Sequence, residues 1–240
     1  MSTSRSRSIG RAPAVSILAC TKRPEFLHNL IDNYARQRYP YKELIILINH
    51  DERPYDDYYR VAHGDPNIRI AALPKETSLG ACLNYAARLA RYELIAKFDD
   101  DDYYAPNYLS ESVDTMMRND ADIVGKRAHY MYLSGRGLLL LRYRRIENRP
   151  TRQVQGATLL FNRRVLRRVR FQDVNRGECV RFCNDAREHG YSIFAGSRFN
   201  FAAIRQADRM SHTWRVRDRD LLAQKVRTLK MTDFRRFVSR

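Results

Sequence analysis

The run Lys97-Phe98-Asp99-Asp100-Asp101-Asp102-Tyr103-Tyr104-Ala105-Pro106 places four carboxylates side by side. The chain carries 44 Lys and Arg against 27 Asp and Glu, a formal charge of +17, so an acidic run is set against the general trend. Mutual repulsion makes four adjacent acids costly to hold unless a cation neutralises them. They follow an apolar stretch, residues 94–98 (LIAKF), that reads as a buried strand. Open α/β sheets bind ligands beyond the carboxyl ends of their strands. In extended backbone Asp99 and Asp101 point to one side, and Asp100 and Asp102 to the other. One face then offers two hard oxygens to Mg2+ or Mn2+, with water and phosphate oxygens completing the coordination. The bland reading is a solvated acidic turn ahead of the helix that Pro106 opens.

Other chemistries are less well served. The 4 Cys include no CxxC pair, which argues against a disulfide scaffold, a zinc site or thioredoxin-like chemistry. Cys179 and Cys183 are four apart on a predicted helix and read as buried thiols. No GxGxxG or GxxxxGK[ST] occurs, which weighs against a dinucleotide enzyme or a P-loop NTPase. The basic excess predicts an anionic partner: nucleic acid, an acidic membrane surface or a phosphorylated substrate. No apolar run approaches the roughly 18 residues of a membrane span.

The elements that must position the acids follow from periodicity. Residues 15–19 (VSILA), 44–48 (LIILI), 68–72 and 94–98 read as strands, and residues 123–124 begin a fifth. Pro24 opens a helix carrying Phe26, Leu27, Leu30, Ile31 and Tyr34. Ser78 caps another with Leu79, Cys82, Leu83, Ala86, Ala87 and Ala90 on one side. A third runs from Pro106 to about Arg118. This alternation predicts an α/β fold with a mostly parallel sheet flanked by helices. The second half reads as a smaller antiparallel and irregular part. Residues 130–133 and 138–143 form a hairpin around Ser134-Gly135-Arg136-Gly137. A basic loop with five Arg and one Glu spans 142–152. A strand at 157–161, a helix from Glu178 to His189 closed by Gly190, and a strand at 191–195 follow. Residues 1–13 read as a disordered leader, 14–214 as one domain, and 215–240 as a basic helical tail.

This order of Thr21-Lys22-Arg23-Pro24, the strand LIILIN ending at Asn49, Leu79-Gly80-x-x-x-Asn84, and an apolar strand running into Asp99-x-Asp101-Asp102 and Pro106 resembles the family 2 glycosyltransferases of the GT-A fold. The resemblance covers residues 14–214 and is strongest over 15–125. It implies transfer of a sugar from a nucleotide diphosphate sugar, with UDP-sugar expected, to an acceptor with inversion. It makes Asp101 the ligand of Mn2+ or Mg2+, and Asp99 a contact to the ribose or to a metal water, with Asp100 alongside. Thr21, Arg23, Asn49 and Asp51 stand where the family seats base and ribose; helix capping and turn formation are their other readings. Gln155-Gly156-Ala157 resembles the small-residue segment lining the sugar site.

Family members carry Glu-Asp at the start of a late helix, with the second acid as base. Here the segment reads Arg176-Gly177-Glu178-Cys179. Glu178 is the expected base, with Asp173 and Asp185 as alternatives. By the same resemblance His212 reaches the metal or diphosphate, and Trp214 covers the donor. A rival class is a metal-dependent nucleic-acid-binding or phosphodiester enzyme, suggested by the basic excess and 15 Tyr. Leu222, Val226, Leu229 and Phe237 would share one face of a tail helix. That helix lies on an anionic membrane or docks on the core. The expected location is cytoplasmic, with peripheral contact at the inner membrane face.

Overall fold

The structure, a computed structural model, describes residues 12–51, 55–207, 216–223 and 226–240. Its first strands, β1 (Val15–Thr21) and β2 (Lys42–Ile48), are buried along nearly their whole length. They are joined by a 3-10 turn at Pro24–Phe26 and by α1 (Leu27–Ala35). α2 (Asp56–Gly64), β3 (Ile68–Ala72), α3 (Leu79–Leu89) and β4 (Leu94–Lys97) follow. Ser78 caps α3 as expected, its Oγ accepting the Ala81 N–H at 3.1 Å. β1 pairs in parallel with both β2 and β4, and β2 with β3.

The unbroken apolar runs have a direct cause: each face of this sheet is covered. Ile17, Ala19, Leu44, Ile46 and Ile48 pack with Leu27, Leu30 and Tyr34 of α1 and Tyr58 of α2. Their neighbours Leu18, Ile45 and Leu47 pack on the opposite face with Cys82, Leu83 and Ala86 of α3. A strand buried on both faces has no polar positions to alternate with.

Beyond the acidic turn come β5 (Tyr103–Tyr104), α4 (Tyr108–Asn119) and β6 (Ile123–Gly125). The expected hairpin is β7 (His129–Leu133) with β8 (Leu138–Arg142). β9 (Arg149–Pro150) is followed by β10 (Leu160–Asn162), which starts later than expected because Gly156–Thr158 form a 3-10 turn. β10 enters antiparallel between β4 and β6. α5 (Glu178–Glu188), β11 (Ile193–Ala195) and β12 (Phe201–Arg205) come next, then α6 (Asp218–Leu222), β13 (Arg227–Lys230) and α7 (Phe234–Val238). The large sheet runs β3-β2-β1-β4-β10-β6-β11-β9, and a second runs β13-β8-β7-β12-β5.

The tail corrects the sequence reading. Residues 216–240 do not form one helix, because β13 completes the edge of the second sheet against β8 and separates two short helices. Leu222 and Val226 pack on one core, and Leu229 and Phe237 on another. The stripe docks on the protein, and backbone bonds to a free strand edge outweigh the helical spacing of its apolar residues.

Candidate active site

β4 delivers the chain to the centre of the large sheet, and the acidic turn begins immediately after Lys97. Phe98 donates its N–H to Leu18 O at 2.9 Å, and its ring stacks on Tyr104 at 3.7 Å. The chain therefore doubles back between these two rings. The Asp99 N–H donates to the Tyr104 hydroxyl, which donates to Ala157 O, both at 2.7 Å. From α1, Asn29 Nδ2 donates to the carbonyls of Asp100 (2.7 Å) and Asp102 (3.0 Å). Asn33 Nδ2 donates to the carbonyl of Asp102 at 2.8 Å, and its Oδ1 accepts the Tyr104 N–H at 3.1 Å. Two asparagines four apart thus satisfy the backbone of a buried turn.

This turn breaks the alternation expected of extended chain. Asp99, Asp101 and Asp102 gather, each with an oxygen within 4.8 Å of the others'. Asp102 was expected on the far face with Asp100; the turn at residues 100 and 101 brings it round. Asp100 instead points toward β1, where its Oδ2 accepts the Thr21 hydroxyl at 2.6 Å and Arg23 Nε at 3.3 Å. Arg23 also pairs with Asp101 at 2.9 Å and lies 4.6 Å from the Phe26 ring centroid.

Charge is unbalanced here. Burial, and then Asp101, push the Asp100 carboxyl up to about 6 against the pull of Arg23. Burial, Asp101 and Asp99 together hold Asp102 well above the usual carboxylate range. Three convergent oxygen donors under mutual repulsion suit a hard divalent cation such as Mg2+ or Mn2+.

The floor of the site comes from the second half of the chain. Lys97 is buried and contacts Asp99. Burial opposes its charge, yet the carboxylates of Asp99 and Glu178 keep the ammonium above its ordinary pKa. Glu178 is the first residue of α5, behind Gly177, whose φ of 75° is left-handed backbone that favours glycine. Burial raises the Cys179 thiol well above its usual range, so it is protonated and donates to Glu178 Oε1 at 3.1 Å. Gly156 touches the same thiol: a Cβ there would lie 2.9 Å from Cys179 Cβ.

The two alternative acids are engaged elsewhere. Asp173 accepts from Ser78 Oγ, and Asp185 from Gln172 Nε2 at 3.0 Å. At the end of β2, Asn49 donates its N–H to Thr21 O (2.8 Å) and its side chain to Pro74 O (2.6 Å). Asp51 pairs with Lys75 at 2.7 Å, both largely exposed. These two therefore tie together the chain at the strand ends. His212 and Trp214 lie outside the described residues. The sequence reading put Asp102 on the wrong face and gave no role to Lys97, Asn29 and Asn33. Asparagines inside a helix are the usable signal, since that position disfavours them unless the side chain has a task.

A mostly parallel sheet with an acidic turn beyond its central strand defines the GT-A type of fold. The sequence profile described as Glycosyl transferase family 2 matches residues 16–175, and the chain belongs to that family. It is 28% identical over 130 residues to the O-antigen biosynthesis glycosyltransferase WbnJ of Escherichia coli, covering 53% of this chain and 50% of WbnJ. It is 30% identical over 116 residues to the O-antigen biosynthesis protein RfbC of Myxococcus xanthus, covering 47% of this chain and 9% of RfbC. The matches thus span half of one relative and a small part of the other. Among solved structures, S. aureus TarS 1–349 in complex with UDP-GlcNAc superposes with TM-score 0.66 at 16% identity, covering 84% of this chain and 61% of that one. The mannosyltransferase PcManGT from Pyrobaculum calidifontis, in complex with GDP-Man and Mn2+, gives TM-score 0.62 at 16% identity, covering 84% and 59%. No helix among the described residues is long and apolar enough to cross a membrane.

Proposed function

We propose that the chain transfers a sugar, with inversion, from a UDP-sugar to an acceptor hydroxyl. The observation that carries this reading is the convergence of Asp99, Asp101 and Asp102 at the end of β4, with Glu178 and Lys97 behind them. Family membership and the nucleotide-sugar complexes of TarS and PcManGT support it.

Asp99, Asp101 and Asp102 would hold Mn2+ or Mg2+. When bound there, a divalent cation would supply positive charge to offset the negative charge growing on the departing diphosphate. Arg23 aligns Asp101, while Thr21 and Arg23 fix Asp100 so that the turn keeps its shape. Thr21, Asn49 and Asp51, at the ends of β1 and β2, border the seat of the nucleoside. Glu178 takes the proton of the acceptor hydroxyl as its oxygen attacks the anomeric carbon. The bond from that carbon to the diphosphate oxygen breaks, and UDP leaves with the electron pair. Lys97 keeps negative charge tolerable between Asp99 and Glu178. Cys179 orients the base through its S–H, since a thiol held protonated is a poor base itself. His212 is assigned to the diphosphate on the family resemblance alone.

The test is a thermal-shift series with UDP-, GDP- and dTDP-sugars, with and without Mn2+. A true donor raises Tm by mass action, and more so with metal. Stabilisation by no nucleotide sugar, or equal stabilisation in EDTA, defeats the reading. Product anomeric configuration by NMR decides inversion.

A further inference from the structure

The arginines between β8 and the Gly156 turn take no part in that site. Residues 142–152 carry five arginines and a single acid, Glu147. Arg198 engages that acid, donating its N–H and Nε to Glu147 Oε2 at 3.0 and 2.9 Å. Arg144, Arg145, Arg149 and Arg152 are exposed, and none forms an ion pair among the described residues. Arg127, on the bend between β6 and β7, also makes no ion pair; its guanidinium lies 3.8 Å from the ring centroid of half-exposed Tyr143.

The segment is held in one shape. Tyr143 and Asn148 adopt left-handed backbone at φ 48° and 50°, a conformation that disfavours residues with a Cβ. Tertiary bonds hold them there. The Ala128 N–H donates to Ile146 O at 2.9 Å, and the Thr151 N–H to Ile193 O at 3.0 Å. The segment leads into the site: the Gln155 N–H donates to Lys126 O at 2.7 Å, and Gly156 follows against Cys179.

Arg149 is too distant to serve the donor. β9, which carries Arg149, is the outermost strand, four strands from β4 and its acids. At about 4.8 Å per strand that is about 19 Å, several times the length of a diphosphate. Exposed guanidinium forks suit carboxylate or phosphate. A membrane-seated surface also needs apolar residues to insert, and Tyr143 is the one exposed large hydrophobic side chain of this segment.

We propose that this arginine surface binds the acceptor, and that the acceptor is an acidic glycan. Its phosphate or carboxylate groups extend from the sugar beside Glu178 outward to β9. The inference rests on the transferase reading of the site and deepens it.

The test compares wild type with the full chain bearing Arg144→Gln, Arg145→Gln, Arg149→Gln and Arg152→Gln. All four positions are exposed, and circular dichroism and Tm verify folding. The probes, at physiological salt, are an oligogalacturonate, a glycerol-phosphate oligomer, neutral maltoheptaose, vesicles containing phosphatidylglycerol, and a single-stranded DNA. Wild type should bind one or both acidic oligomers, weaken with added salt and ignore maltoheptaose. The variant should lose about tenfold or more of that affinity, the scale of four exposed charges. The oligomer that binds identifies carboxylate or phosphate. Unchanged affinity in the variant overturns the proposal. So does tighter binding of DNA or vesicles through the same four arginines. Donor binding, read separately by thermal shift, should be equal in both proteins; its absence in wild type would defeat the transferase reading, while glycan binding still reports on the surface.

Discussion

Two lysines of this chain are buried against carboxylates, Lys97 beneath the acidic turn and Lys126 beside α4, and they differ in what surrounds the pair. Lys126 Nζ donates to both oxygens of Glu111 at 2.7 Å. Glu111 further accepts Ser197 Oγ at 2.6 Å and Asn200 Nδ2 at 2.9 Å. Three donors surround one acid, and burial lowers the Lys126 pKa despite Glu111. Lys97 lies as deep, yet its pKa moves up, because the carboxylates of Asp99 and Glu178 outweigh the burial. The direction in which a buried lysine shifts therefore reports the local charge balance. A balanced cluster is a staple between α4 and the chain ahead of β12. A cluster with negative charge in surplus has capacity for a further cation.

The contrast breaks most sharply at Asp101. Asp101→Asn should cut transfer by about a thousandfold or more, the scale of several kcal/mol of leaving-group stabilisation. Tm should hardly move, because the amide relieves repulsion while keeping an acceptor for Arg23. Transfer near the wild-type rate, measured with saturating donor, would show that the surplus has no use.

At the balanced cluster the effect should fall on stability. Lys126→Met leaves the partly buried Glu111 without its cation and should cost about 2–3 kcal/mol in urea unfolding. Activity per folded molecule should stay within about threefold. A large loss of turnover with unchanged stability would reverse the two assignments.

Glu178→Gln should lower kcat by about a hundredfold, the usual scale for a general base. Cys179→Ala should cost less than about tenfold, since the thiol only orients the acid. The reverse ranking would make Cys179 the base.

The smallest effect concerns His129, which packs near Tyr143 and Phe201 under the arginine surface. Its Nδ1 is 2.9 Å from Arg127 O, and its buried Nε2 has no partner among the described residues. Burial pushes the imidazole from about 6.5 down to about 4, with Arg142 and Arg127 adding to the effect. The unfolded chain then binds the extra proton between those values. Stability is full above pH 6.5 and falls as pH drops toward 4, by about 1 kcal/mol per unit. His129→Asn keeps a donor to Arg127 O without titrating, so the difference in stability between the two proteins should change with pH below about 6.5 and become constant above about pH 7. A difference independent of pH would refute the assignment.

Much of the donor half is legible along the chain. The runs at 15–19, 44–48 and 94–98 are continuous because both faces are covered, and the acids stand at a strand end where ligands collect. Glu178 and Gly156 were named from the family resemblance, and both come to the same thiol. The face assignment of Asp102 failed because period-two reasoning assumes extended chain, and the turn is set by Asn29, Asn33 and Tyr104. The tail helix failed for a similar reason: the free edge of β8 lies far back in the chain, Leu141 standing 86 residues before its partner Arg227.

The sequence by itself determined which residues can be strands or helices, that four acids sit together, and that the chain is strongly basic. Those properties are local, carried by side-chain volume, period and formal charge. Only the tertiary structure decided which acids converge, which arginines remain without counterions, and which buried lysine lies in a surplus of negative charge. Each of those depends on groups brought together from distant positions, and charge balance is a sum over neighbours in space.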